Sequence, residues 1–382
     1  MIYLDNAATS LPKPESVYLA ADQALRQFSG NPGRSGHRLS LAASAQVERA
    51  RRLCAQLFNV AVPERVVFTL NTTDALNLAI KGAIDPGDHV ITDTLEHNSV
   101  VRPLYALEKL GAEITKIQAS PDVGLSVAEV EKIIRPNTKM LVCTHVSNVT
   151  GTVNDIEALG ELCRERGILF LVDAAQSAGI RSIDVQKMHI DLLAFPGHKG
   201  LFGPQGTGGL YIREGVRLNC LRHGGSGNQS ELPDQPEELP MRYESGTLNM
   251  AGLSGLAAGV EFVLKQGIDK IQQKERLLTE QILKAFYQIP SVHIYGPAAD
   301  YDRGGVISFN IQGWSPSDLA VVLDTSFDIA VRSGLHCAPD AHAMLGTLQT
   351  GGTVRIGLSY LNTEEEVEVC IRAIREIADG GR

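Results

Sequence analysis

Between about residue 40 and residue 215 the sequence alternates short, almost wholly apolar runs with amphipathic stretches, and this alternation constrains the fold more than any other feature. The runs are VVFTL (66–70), HVIT (89–92), AEITKI (112–117), MLVCTHV (140–146), ILFLVD (168–173), DLLAF (191–195) and GGLYI (208–212). Segments such as DALNLAIKGAI and DIEALGELCRERG lie between them with apolar residues at helical spacing. Strands that take turns with helices pack as a mostly parallel sheet with helices on both faces, an α/β architecture. MLVC and ILFLV lack the polar alternation of a half-exposed strand, so they predict strands buried on both sides. Ligands of such sheets bind beyond the carboxyl ends of the strands. The residues just after each run are therefore the ones to inspect for chemistry.

The rest of the chain reads differently. AASAQVERARRLCAQLF predicts a helix with Glu48 to Arg52 on its solvated face. Residues 225–245, polar, acidic and rich in Pro, predict a long surface loop. A helical stretch follows from about Leu253 to Tyr287. Beyond it VISFNI, SPSDLAVVLD, IAVRSG, TVRIGLS and EEEVEVCIRAIREIA predict a smaller α+β domain.

Composition removes several classes of function. The net charge of −9 opposes nucleic acid as the main partner, because phosphate binding needs clustered positive charge. No apolar run reaches the ~20 residues that span a membrane. The opening MIYLDNAATS lacks the charged start and apolar stretch of a signal peptide. Six scattered cysteines form no close pair of the kind that binds zinc or builds a disulfide framework. A cytoplasmic protein without a metal site is expected.

The strand ends hold an unusual set of residues. After VVFTL comes Asn71-Thr72-Thr73-Asp74, either a phosphate site at a helix N-terminus or a plain helix cap. After HVIT comes Glu96-His97-Asn98, and after MLVCTHV comes Ser147-Asn148-Val149-Thr150-Gly151, which as it stands could be only a turn. Asp173 ends ILFLVD, where an unpaired acid is costly to bury. Gly197-His198-Lys199 follows DLLAF. Pyridoxal 5′-phosphate (PLP) asks for such a combination. It needs an amine to attach to, an acid for its ring nitrogen, a flat neighbour for its ring and donors for its phosphate.

With these residues in place the sequence resembles the cysteine desulfurases, among the class V aminotransferase-like, fold-type I PLP enzymes. The resemblance runs along nearly the whole chain. It starts at Tyr3-Leu4-Asp5-Asn6-Ala7-Ala8, passes through the strand-end motifs and Glu244-Ser245-Gly246-Thr247, and ends with Arg332-Ser333-Gly334-Leu335-His336-Cys337-Ala338 and Arg355-Ile356-Gly357. It implies a large PLP-binding domain over residues 13–262 and a small domain built from 1–12 with 263–382.

The resemblance also implies roles. Lys199 would carry the cofactor and move protons. Asp173 would pair with its ring nitrogen, Gln176 with its phenolic oxygen, and His97 would stack on the ring. Thr72, Thr73 and His198 would bind the phosphate, with Thr247 reaching the phosphate of a neighbouring subunit in a homodimer. Asn148 would lie near the substrate, Arg355 would hold its carboxylate, and Arg332 would order the surroundings of Cys337. His37, in the segment Asn31 to His37, is a further candidate for approaching the substrate.

Cys337 decides the reaction that the resemblance implies. Positive charge favours the nucleophilic thiolate, and this sulfur would attack that of L-cysteine, leaving a persulfide and alanine. The alternatives on the same scaffold are a cysteine or cystine C–S lyase, which yields pyruvate, and a selenocysteine lyase. The short Cys337 segment resembles the second type of desulfurase, which passes sulfur to an acceptor protein. One departure stands out. Pro196 occupies the position, two before His198, where the family often has a phosphate-binding hydroxyl.

Overall fold

The computed structural model describes residues 1–28, 30–33, 36–227 and 229–380. Strand β1 (Ile2–Tyr3) and helices α1 (Glu15–Gln27) and α2 (Arg38–Leu57) come first. Strand and helix then alternate through β2 (Val66–Thr69), α3 (Thr72–Ala83), β3 (His89–Asp93), α4 (Asn98–Glu108), β4 (Glu113–Ile117), α5 (Val127–Ile133), β5 (Thr138–Thr144), α6 (Ile156–Arg166) and β6 (Leu169–Asp173), before β7 (Leu192–Pro196) and β8 (Gly208–Ile212). Helices α7 (Met250–Gln266) and α8 (Ile268–Phe286) lead to β9 (Val292–Tyr295), β10 (Val306–Ile311), α9 (Pro316–Phe327), β11 (Ile329–Ala330), β12 (Arg332–Gly334), α10 (Pro339–Met344), β13 (Thr353–Gly357) and α11 (Glu364–Gly380).

All seven apolar runs form strands of one sheet, in the order β2-β8-β7-β6-β5-β3-β4. Its pairings are parallel except those of β8, which runs antiparallel to β2 and β7. Successive side chains of a strand point to opposite faces. Leu141 and Cys143 accordingly pack under α6 and α7, while Met140 and Val142 pack with Leu76 of α3 and Leu104 of α4. Helices on both faces leave no solvated side to these strands. Their apolar continuity follows from that.

A second, four-stranded antiparallel sheet, β12-β13-β10-β9, packs with α8 and α11 around Ile307, Phe309, Val354 and Ile356. The chain's start joins this core: Leu4 packs in it, and β1 pairs in parallel with β11. No described helix is long and apolar enough to cross a membrane.

Two local expectations need correction. The helical stretch after Leu253 is two helices, broken at Gly267, whose φ of +85° suits glycine and disfavours other residues. The expected solvated face of α2 contains Arg51, which is 1% exposed. Arg51 Nη1 lies 2.8 Å from Glu244 Oε1, and Glu244 also accepts from the N–H of Phe68 at 2.6 Å. A residue of the polar 225–245 segment thus turns inward to pair a buried guanidinium.

Candidate active site

The parallel strands deliver the site from their carboxyl ends. Past β2, Asn71 caps α3 by accepting from the N–H of Asp74 at 2.9 Å. Thr72 and Thr73 then occupy the first turn, where N–H groups lack partners inside the helix and the helix dipole is positive. Thr73 Oγ1 lies 2.7 Å from Ser99 Oγ. His97 is the N-cap of α4, its Nδ1 accepting from the N–H of Ser99 at 3.0 Å. Asn148 follows β5, Asp173 ends β6, and Lys199 lies just beyond β7. The small sheet adds Arg332 from β12 and Arg355 from β13.

These residues meet in one cavity that opens to solvent. Thr72, Thr73, His97, Asn148, Asp173, Gln176, His198, Lys199, Arg332 and Arg355 all line it. Gln176 Nε2 donates to the carbonyl of Ala7 at 3.0 Å. Arg355 Nη2 donates to Asp5 Oδ1 at 2.9 Å and its Nη1 to the carbonyl of Asn148 at 3.1 Å.

Three expected site residues lie outside the lining. Cys337 stands at the rim, its Sγ accepting from Arg332 Nη2 at 3.4 Å. Thr247 is exposed beside Asn31, whose Nδ2 lies 3.5 Å from its Oγ1. His37 is exposed too, and its Nδ1 caps α2 by accepting from the N–H of Ser40 at 3.2 Å. Arg34 and Ser35 of the same segment lie outside the described residues. Pro196 closes β7, paired with Gly208, and does not line the cavity.

Burial sets the protonation of the site. It raises the carboxyl of Asp173 to about 6, against the pull of the Ala175 N–H and of Lys199. Burial, followed by the charge of Arg355, lowers the amine of Lys199 to about 8, and Asp173 opposes the shift. His97 falls to about 4, mainly through burial and next through Lys199. Its ring is therefore neutral near pH 7, and accepting at Nδ1 puts the proton on Nε2. Behind the site Asp93 and Glu96 are fully buried. Desolvation raises both carboxyls, and the negative neighbours Asp93 and Asp173 raise Glu96 further.

The residues present fit PLP. Lys199 is a half-buried lysine whose amine has a lowered proton affinity, and Asp173 is a buried acid facing the same space. His198 lines the cavity with an Nδ1 that has no partner among the described residues, a donor or acceptor that a phosphate group could satisfy. Ser99, Thr144 and His336, for which the sequence implies no individual role, also line the cavity, as does the helix cap Asn71. Ser99 and His336 sit one or two residues from motif positions already singled out. The pairing of Asp5 with Arg355 left no local signal, since 350 residues separate the two.

The family model described as "Aminotransferase class-V" matches residues 2–370. A probable cysteine desulfurase of Methanothermobacter thermautotrophicus is 36% identical, covering 100% of this chain and 95% of the relative. A cysteine desulfurase of Haloferax volcanii is 35% identical over 98% of this chain and 88% of its own length. The apo structure of a cysteine desulfurase from Thermococcus onnurineus superposes with a TM-score of 0.91 at 36% identity, covering 99% and 95% of the two chains. The expected α/β fold is the fold of these relatives. The chain belongs to the class V aminotransferase family, among its cysteine desulfurases.

Proposed function

We propose that this protein is a PLP-dependent cysteine desulfurase that converts L-cysteine to L-alanine and leaves the sulfur as a persulfide on Cys337. One observation carries the reading. A cavity lined by Lys199 and Asp173 has at its rim a free cysteine whose sulfur accepts from the cavity-lining Arg332 at 3.4 Å.

Bound PLP would supply an electron sink next to the substrate's Cα. Lys199 would hold it covalently and, with a proton affinity lowered to about 8, move a proton off Cα and back to the product. Asp173 would face the ring nitrogen, Gln176 the phenolic oxygen and His97 the ring's flat side. Thr72, Thr73 and His198 would receive the phosphate at the N-terminus of α3. Arg355, oriented by Asp5, would hold the substrate carboxylate through paired N–H donors, with Asn148 beside it.

Cys337 Sγ would attack the sulfur of cysteine. The S–S bond would form as the Cβ–S bond breaks, the electron pair of that bond would stay with Cβ, and Cβ would gain a proton to give the methyl group of alanine. Thr247, exposed away from its own cavity, would serve the phosphate of a second subunit in a homodimer. A sulfur-acceptor protein would withdraw the persulfide. Six free cysteines are in keeping with a reducing cytoplasm, where we assign the enzyme's work.

The test is to incubate protein, L-cysteine and a reductant and to quantify alanine and pyruvate for wild type and Cys337→Ala. The expected result is alanine from wild type and none from the variant. Pyruvate as the main product, unchanged by the substitution, would overturn the reading in favour of a C–S lyase. Turnover of selenocysteine alone would identify a selenocysteine lyase.

A further inference from the structure

His336 and Cys337 adopt left-handed backbone conformations in succession, with φ of +47° and +59°. A residue with a Cβ adopts this region at a cost and stays there only when its surroundings hold it. Two of the holding contacts come from strand ends of the large sheet. Asn148 Nδ2 donates to the carbonyl of His336 at 2.7 Å, and the N–H of Asn98, beside His97, donates to the carbonyl of Cys337 at 2.7 Å. Within the segment, the N–H of Ala338 closes a turn onto the carbonyl of Leu335 at 2.9 Å. On the other side His336 Nε2 lies 3.1 Å from the carbonyl of Thr353.

Asn148 is buried, and it meets both halves of the site. Its own carbonyl accepts from Arg355, while its side chain holds the chain one residue before the reactive sulfur. We propose that Asn148 is a positioning residue for Cys337, its side-chain amide clasping the His336 carbonyl so that the left-handed His336–Cys337 pair presents the sulfur at the rim beside Arg332. This rests on the reading that Cys337 receives the sulfur. An amide suits the task because it donates to a buried carbonyl without adding charge. A carboxylate of the same shape would set an acceptor against an acceptor. The clasp also fixes the register between the group expected to hold the substrate carboxylate and the group that takes its sulfur.

The experiment is hydrogen–deuterium exchange on cofactor-loaded protein without substrate, comparing wild type with Asn148→Ala and Asn148→Asp. The Asn98 and Ala338 amides are expected to exchange about tenfold faster in both variants, because losing one buried hydrogen bond favours local opening of the segment. Protection in β5 and β6 and the cofactor's absorbance should stay at wild-type values. If Asn148→Ala loses protection throughout those strands it has not folded, and Asn148→Asp decides alone. On turnover, kcat should fall about tenfold with KM within about threefold of wild type, the pattern of a misplaced nucleophile. A residue that only touched substrate would raise KM and leave substrate-free exchange unchanged, and that result would overturn the clasp. Exchange is read without catalysis, so failure of the desulfurase reading in the Cys337→Ala assay remains a separate outcome.

Discussion

Asp5 Oδ1 accepts a hydrogen bond from Arg355 Nη2 at 2.9 Å, tying the start of the chain to a strand near its end. Arg355 is almost wholly buried, and desolvation lowers its proton affinity against the stabilising charge of Asp5. A guanidinium held in this way is oriented before any ligand arrives, which reduces the ordering cost of binding a carboxylate. Asp5→Asn should keep the shape and weaken the orientation, raising KM for cysteine about tenfold with a smaller effect on kcat. Steady-state kinetics over a range of cysteine concentrations checks this, and an unchanged KM would show that Asn148 alone is enough to aim Arg355.

The hydroxyl of Thr73 stands at the N-terminus of α3, in contact with Ser99. Thr73→Ala should weaken PLP binding about tenfold, the loss of one hydrogen bond to a charged group. Thr73→Ser should bind nearly as wild type does. Equilibrium dialysis of cofactor-depleted protein gives both affinities, and equal loss in the two variants would make the role one of packing.

Glu244 is the buried partner of Arg51. Removing one member of such a pair leaves an uncompensated charge in the interior, so Glu244→Ala should cost about 3–5 kcal/mol. Replacing both residues by apolar ones should recover most of that loss. Urea unfolding of the single and double variants measures the difference. A cost below about 1 kcal/mol would mean that water or another group reaches Arg51.

Glu275 on α8 is buried, and its Oε2 has no partner among the described residues. Burial raises its carboxyl to about 8, opposed by the N–H of Tyr360 and the charge of Arg181. Between its ordinary value of 4.5 and about 8 the folded protein keeps a proton that the unfolded chain releases. The folded state binds more protons there, so this group's contribution to stability declines as pH rises through the window. Glu275→Gln keeps the shape without the titration. It should gain on wild type as pH rises from about 4.5 to about 8 in urea unfolding, whereas a constant difference would show that Glu275 does not titrate in this range.

The sequence by itself determined the large sheet and most of the contents of its site. A strand buried on both faces must be apolar along its length, so MLVC and ILFLV announced themselves, and the site residues of the large sheet lie at or within a few positions of the ends of such runs. Thr72, His97, Asn148, Asp173 and Lys199 are legible in the sequence because strand ends are local features of the chain. Tertiary structure decided what depends on distant partners. Arg51 reads as solvated from helical spacing and is buried because Glu244, 193 residues away, neutralises it. Asn148 reads as a turn residue beside the substrate, yet its amide meets the carbonyl of His336 at a separation of 188 residues. His37 sits in a motif and still lies outside the cavity, because the direction a loop residue faces is set by what packs against it. Local periodicity dictates which residues form an element. The pairing of charges, and the strain held at Cys337, follow only from which elements meet.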